Sequence, residues 1–196
     1  GRGEDSSQKD DGFHGEDGMG GLASQLPPWT PPPQPPSSRQ VLADQLRRGG
    51  RTVLCLAPLT NLAAVERDEP GILARAHEIV CMVGAFDHPG NVTASAEFNA
   101  WWDPEALDVV LRSGARVVIM PLDVTTRLTL GVDDVRRHGV RGEIGAFLEA
   151  LCAAQAAQSQ RYRETAQARM LLHDVSTVLY LLFPCLLYTS DAADDA

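Results

Sequence analysis

The sequence predicts an α/β fold of Rossmann-like type, a mostly parallel sheet with helices on both faces. Three observations lead there. From residue 40 onward, segments that read as strands alternate with segments that read as helices. The strand candidates are continuous apolar runs rather than alternating ones, the pattern of strands covered on both faces. Polar loops follow them, and in such sheets ligands bind beyond the carboxyl ends of the strands.

In chain order, residues 1–12 are polar and carry no hydrophobic period, so they read as disordered or as the remnant of a loop. The stretch from His14 through Gly15, Gly18, Gly20 and Gly21 is a loop, because that density of glycine opposes both helix and strand. Residues 27–38 are rich in proline and form an extended surface loop. Val41, Leu42 and Leu46, followed by Arg47, Arg48 and Gly49-Gly50, mark a short helix over 40–48. Thr52 to Leu56 reads as a buried strand, 61–67 and 72–76 as helical pieces around Pro70, and Glu78 to Phe86 as a second buried strand.

A helix over Asp103 to Arg112 has its start written in three residues: Asp103 as N-cap, Pro104 at the first position and Glu105 at the positive end of the dipole. Gly114 closes it. Arg116 to Leu122 is the third strand. Residues 142–167 form a long helix, with Ile144, Phe147, Leu148, Leu151 and Cys152 spaced as a core-facing stripe. An apolar segment follows at 178–183. Composition then changes abruptly, so residues 185–196 read as a non-native read-through tail and 13–184 as the domain.

The 196 residues suffice for one domain with a real core. With 17 basic against 26 acidic residues, a net charge of -9, a nucleic-acid partner is not expected. No run of apolar residues is long enough to span a membrane. Cys55, Cys81, Cys152 and Cys185 form no Cys-x-x-Cys pair, which fits a reducing, cytoplasmic setting.

Chemistry concentrates in the loop from Gly90 to Ala106. Asn91, Glu97 and Asn99 supply three hydrogen-bonding side chains with no helical or strand period. A carboxylate accepts from two hydroxyls, and an amide can both donate and accept, so these types suit a sugar. The bare residues also allow a loop cross-braced by its own side chains. Similarly, His173-Asp174 is by itself either a functional pair or a satisfied loop or helix cap.

The run Gly90-Asn91, Ala96-Glu97-Phe98-Asn99, Asp103-Pro104-Glu105-Ala106 resembles the signature of the inosine-uridine preferring nucleoside hydrolases. His14-Gly15-Glu16-Asp17-Gly18-Met19-Gly20, Leu56-Ala57-Pro58-Leu59-Thr60-Asn61-Leu62-Ala63 and His173-Asp174 extend the likeness in the same order. The resemblance implies a hydrolase that cleaves the N-glycosidic bond of ribonucleosides to base and ribose, in purine and pyrimidine salvage, as a homodimer or homotetramer. It implies that His14, Asn91, Glu97, Asn99 and Asp174 hold the ribose, and that His173 assists the leaving base as a general acid.

The family's calcium ion (Ca2+) activates the attacking water, and the resemblance assigns it the Leu56 backbone carbonyl and the Asp174 carboxylate. Its Asp-x-Asp-x-x-x-Asp-Asp cluster has no counterpart in this sequence, so the chain is expected to be a fragment that is inactive alone. The alternative is a catalytically dead homologue that binds ribose or a nucleoside, or serves as an oligomerisation partner. Three departures bear on the local backbone: Val83 and Ala57 stand where glycine is common, and Val175 where proline is. A third class, a generic dinucleotide-binding domain, is disfavoured because no Gly-x-Gly-x-x-Gly follows a strand.

Overall fold

The computed structural model describes residues 17–28, 30, 36–139, 141–161, 168–183 and 185. His14, residues 1–12, most of the expected tail and half of the proline-rich stretch therefore lie outside the described residues. What is described falls into two compact units. One comprises Arg39–Thr125 with the segment from His173; the other comprises the residues up to Ser38 with Thr126–Leu172.

The first unit is built on three parallel strands, β1 (Thr52–Cys55), β2 (Glu78–Met82) and β3 (Val117–Met120), in the order β1-β2-β3. Register pairs Cys55 with Cys81 and Met82 with Met120, so the carboxyl ends of the strands are nearly level. Helices α1 (Ser38–Arg48), α2 (Thr60–Asp68) and α4 (Pro104–Arg112) supply one side of the core. Leu46, Leu62, Val65, Ala106 and Val110 pack there against Ile79, Cys81 and Val83. On the other side lies α8 (Val175–Leu182), whose Tyr180 hydroxyl donates to the buried Glu78 carboxylate at 3.3 Å.

Strand β2 is buried along its whole length, as its apolar run predicts. It ends at Met82 rather than Phe86, because Gly84 takes a φ of 90° and turns the chain out of the sheet. Strand β1 is a correction to the expected buried strand: alternate residues are exposed, Leu54 among them. It pairs only with β2, so its outer edge lacks a covering neighbour among the described residues. Strand β3 stops before Pro121, and the short helix α5 (Leu122–Thr125) follows.

The second unit holds the two-residue strands β4 (Thr129–Leu130) and β5 (Met170–Leu171), paired antiparallel, with α6 (Val132–His138) and α7 (Glu143–Arg161). Arg169 ties it together, donating to Thr129 Oγ1 at 2.8 Å and to Asp134 at 2.7 Å. The core-facing stripe expected on α7 is buried only at its end: Ile144 is 65% exposed and Leu148 exposed, Phe147 and Leu151 are half-buried, and Cys152 is buried, with burial continuing through Ala156 and Ser159. The helix turns its small side chains inward because they allow close approach to its neighbours: Cys152 Sγ reaches the Leu130 carbonyl at 3.3 Å.

The start of α4 is as its sequence requires. Asp103 accepts from the Ala106 N–H at 3.0 Å and from the Thr60 hydroxyl at 2.5 Å, which also fixes α4 to α2. Asp103→Ala removes both bonds and should cost about 1–2 kcal/mol in urea unfolding followed by circular dichroism. Glu105→Ala, on the same turn but exposed, should cost about 0.3 kcal/mol. Equal losses would show that the cap does not hold this junction.

Candidate functional site

The loop between β2 and α4 is closed by its own backbone. Gly90 N–H donates to the Ala94 carbonyl and Val92 N–H to that of Ala96, at 3.2 and 3.1 Å. A Cβ on Gly90 would run into the backbone of Thr93 and Ala96, so only glycine fits. The Asn91 side-chain oxygen accepts from Phe98 N–H at 2.9 Å, while Asn91 itself stays exposed.

At the end of this loop Glu97 is 2% exposed. It caps a helix that the sequence did not reveal, α3 (Phe98–Trp102), by accepting from Asn99 N–H at 2.9 Å and Ala100 N–H at 3.1 Å. The same carboxylate accepts from Gly84 N–H at 3.0 Å and so binds the loop to the turn after β2. Asn99, also buried, donates its amide to the Met82 carbonyl at 2.9 Å. Both residues therefore brace the rim. Each keeps some capacity: a carboxylate offers about four acceptor positions, and Asn99 retains its side-chain oxygen.

Burial raises the pKa of Glu97, three backbone N–H groups oppose that rise, and the charge of Asp174 adds to it. Asp174 is thus close enough for its charge to be felt, and it is exposed. The preceding His173 places Nδ1 2.8 Å from the hydroxyl oxygen of Thr125, a fully buried residue. Next to Thr125 in the same turn, Asp123 accepts from Phe86 N–H at 2.9 Å and Asp87 N–H at 2.7 Å. Desolvation pulls the Asp123 carboxyl up, but those two N–H groups outweigh it and hold it below the usual range.

Asn91, Glu97 and Asn99 are thus gathered in one braced loop, with Asp174 within electrostatic reach of Glu97. Leu56 stands at the carboxyl end of β1 and is exposed. Below the rim, a hydrogen bond to the Cys81 thiol and burial push the Cys55 thiol up, leaving it neutral and unreactive. A lone threonine carries no spacing signal, so the contact of Thr125 with His173 was not legible in the sequence.

Among the described residues no group of three or more His, Cys, Asp or Glu side chains is arranged to hold a metal ion. Among the described residues, each unit contains a cavity. One of about 440 Å³, largely apolar, is lined by Val83, Phe86, Trp101 and Ile119 and touches Glu97. A larger one of about 660 Å³ lies between α6 and α7 and includes none of the rim residues.

The chain matches the family model described as "Inosine-uridine preferring nucleoside hydrolase" over residues 2–194. It is 35% identical over 176 residues to an uncharacterised protein of Schizosaccharomyces pombe, covering 87% of this chain and 55% of that protein. To the pyrimidine-specific ribonucleoside hydrolase RihA of Escherichia coli O157:H7 it is 33% identical over 181 residues, covering 91% of this chain and 57% of the relative. Among solved structures, a purine-preferring ribonucleoside hydrolase from Gardnerella vaginalis superposes with a TM-score of 0.80 at 28% identity, covering 92% of this chain and 60% of the other. The chain thus spans little more than half the length of these relatives.

Two measurements test the role of the braces. Glu97→Ala leaves three N–H groups without an acceptor and should cost about 3 kcal/mol in urea unfolding, whereas Asn91→Ala should cost about 1 kcal/mol or less. Comparable costs would contradict the clamp. The raised pKa adds a pH signature. In the unfolded chain a glutamate titrates near ~4.3. The contribution of Glu97 is therefore complete below that value and is lost as pH rises through the folded one. The stability of the wild type relative to Glu97→Gln should fall as pH is raised above about 4, through the raised folded-state pKa. A constant difference would contradict the raised pKa.

Proposed function

The chain belongs to the inosine-uridine preferring nucleoside hydrolase family, and from that premise we propose that it is part of a hydrolase that cleaves the N-glycosidic bond of ribonucleosides to free base and ribose. The observation that carries this reading is the clustering of Glu97 and Asn99 at the carboxyl end of β2, with the charge of Asp174 beside them. Cleavage of a ribosidic bond builds positive charge on the sugar ring, and a site that holds a buried carboxylate, Glu97, with a second carboxylate, Asp174, within electrostatic reach favours that charge. The Asn99 oxygen, the remaining acceptor position of Glu97 and the exposed amide of Asn91 grip the ribose hydroxyls. His173 assists the departing base. His14 is assigned to the ribose as well, although it lies outside the described residues.

Calcium would be held by the Leu56 carbonyl and the Asp174 carboxylate. It takes about 6 to 8 oxygen ligands, so these two do not make a site, and no step assigned here runs through the ion. The remaining ligands, and the base for the attacking water, belong to an aspartate cluster on further polypeptide. The exposed Leu54 and Leu56 at the outer side of β1 support this reading, since such apolar residues at an open sheet edge are suited to cover by another segment. The complete protein acts in the cytoplasm as a homodimer or homotetramer on free nucleosides.

The test is base release by the protein encoded by the complete reading frame, followed by chromatography over inosine, adenosine, uridine and cytidine. Free base with stoichiometric ribose is expected from at least one of them. His173→Ala should lower turnover about 10²-fold, the scale of a lost general acid. No base release from any of the four would overturn the reading, and an unchanged rate would remove His173 from its role.

A further inference from the structure

The contact between Thr125 and His173 decides which ring nitrogen carries the proton. Thr125 is 0% exposed, and among the described residues its hydroxyl has one hydrogen-bond partner, His173 Nδ1 at 2.8 Å. A hydroxyl carries one hydrogen and can also accept. If Nδ1 were protonated, it would donate to Oγ1 and the buried hydroxyl hydrogen would have no acceptor. An unsatisfied buried donor is costly. If the hydroxyl donates to Nδ1, that bond satisfies both, and the only cost is the buried Nε2–H, against a stranded hydroxyl hydrogen plus a bare Nε2 acceptor in the other tautomer.

We propose that Thr125 is a positioning residue that donates to Nδ1 of His173, orients the ring and so leaves Nε2 as the nitrogen that carries its proton. The backbone fixes the donor in turn. Thr125 N–H and Val124 N–H both donate to the Pro121 carbonyl at 3.0 Å, so the hydroxyl is set by a turn rooted at the end of β3. At the other end of the bond, the His173 carbonyl accepts from Ser176 N–H at 3.2 Å and from Ser176 Oγ at 2.6 Å, which fixes the backbone that carries the ring. Imidazole orientation is thus set from both sides.

This rests on the proposed hydrolase reading and sharpens it. With Nδ1 accepting from Thr125, Nε2–H is the ring's donor toward charge building on the departing base. His173 therefore favours leaving groups that accept a hydrogen bond in the transition state.

The test uses the full chain with ¹⁵N-labelled histidine, without nucleoside or metal, and reads the His173 ring nitrogens by two-bond ¹H–¹⁵N correlation. His173→Asn identifies the signal. In the wild type, the proton is expected on Nε2 and the Nδ1 resonance at the position of a hydrogen-bonded acceptor. Thr125→Ser, which keeps the hydroxyl, should leave both in place. Thr125→Val, which keeps the shape, should move Nδ1 downfield to the position of an acceptor without a donor. A proton on Nδ1 in the wild type, or an unmoved Nδ1 resonance in a folded Thr125→Val, overturns the proposal. If Thr125→Val does not fold, the wild-type tautomer and the Thr125→Ser spectrum still decide. The spectrum involves no turnover. The expected signature together with an inactive complete protein would support the assignment of Thr125 while refuting the hydrolase reading.

Discussion

The buried carboxylate of Glu97 is the constraint on which the rim depends. Three backbone N–H groups, from Gly84, Asn99 and Ala100, converge on it. It thereby joins the turn after β2 to the first turn of α3. That bond places Asn99 where its amide meets the Met82 carbonyl, and α3 in turn leads directly into the Asp103 cap of α4. Removing a carboxylate from water is unfavourable unless hydrogen bonds replace the lost hydration. Here they do so only in part, because burial and the nearby Asp174 leave the group less acidic than an exposed glutamate. A brace that costs this much electrostatically is suited to a site that must meet positive charge.

A second support comes from the turn after β3. Leu122 N–H donates to the Gly84 carbonyl, Asp123 holds the N–H groups of Phe86 and Asp87, and Thr125 meets His173. One short helical turn therefore touches both the loop that carries the sugar-binding candidates and the segment that carries His173-Asp174. The level register of the parallel strands makes this possible, since it brings their carboxyl ends into one row. The meeting of these segments at one rim is a consequence of sheet geometry before it is a matter of individual side chains.

Much of this was legible in the sequence, for identifiable reasons. The fully apolar run of β2 and the Asp103-Pro104-Glu105 start of α4 are local signals, and local signals survive folding. The family likeness was legible in four motifs in order, as the match over residues 2–194 bears out. Burial in β1 and α7 was legible only in part, because it depends on which neighbours cover an element. Leu54 and Ile144 are apolar yet exposed; α7 buries Cys152 as expected, but also Ala156 and Ser159, whose value lies in small size rather than hydrophobicity. Helix α3 was hidden because its cap is the same glutamate that reads as a ligand for sugar. Glu97 and Asn99 do brace the fold, and each spends only part of its hydrogen-bonding capacity there.

The central claim is that this braced rim grips a ribose. The most direct measurement is calorimetric titration of the protein from the complete reading frame with a cleaved ribonucleoside and its 2′-deoxy analogue, using an Asn99→Ala variant as the reference. The account predicts that the ribonucleoside binds more tightly by at least about tenfold, ~1.4 kcal/mol, and that Asn99→Ala abolishes the difference. Equal affinity for the two sugars, or a preference that survives Asn99→Ala in a folded protein, would contradict it.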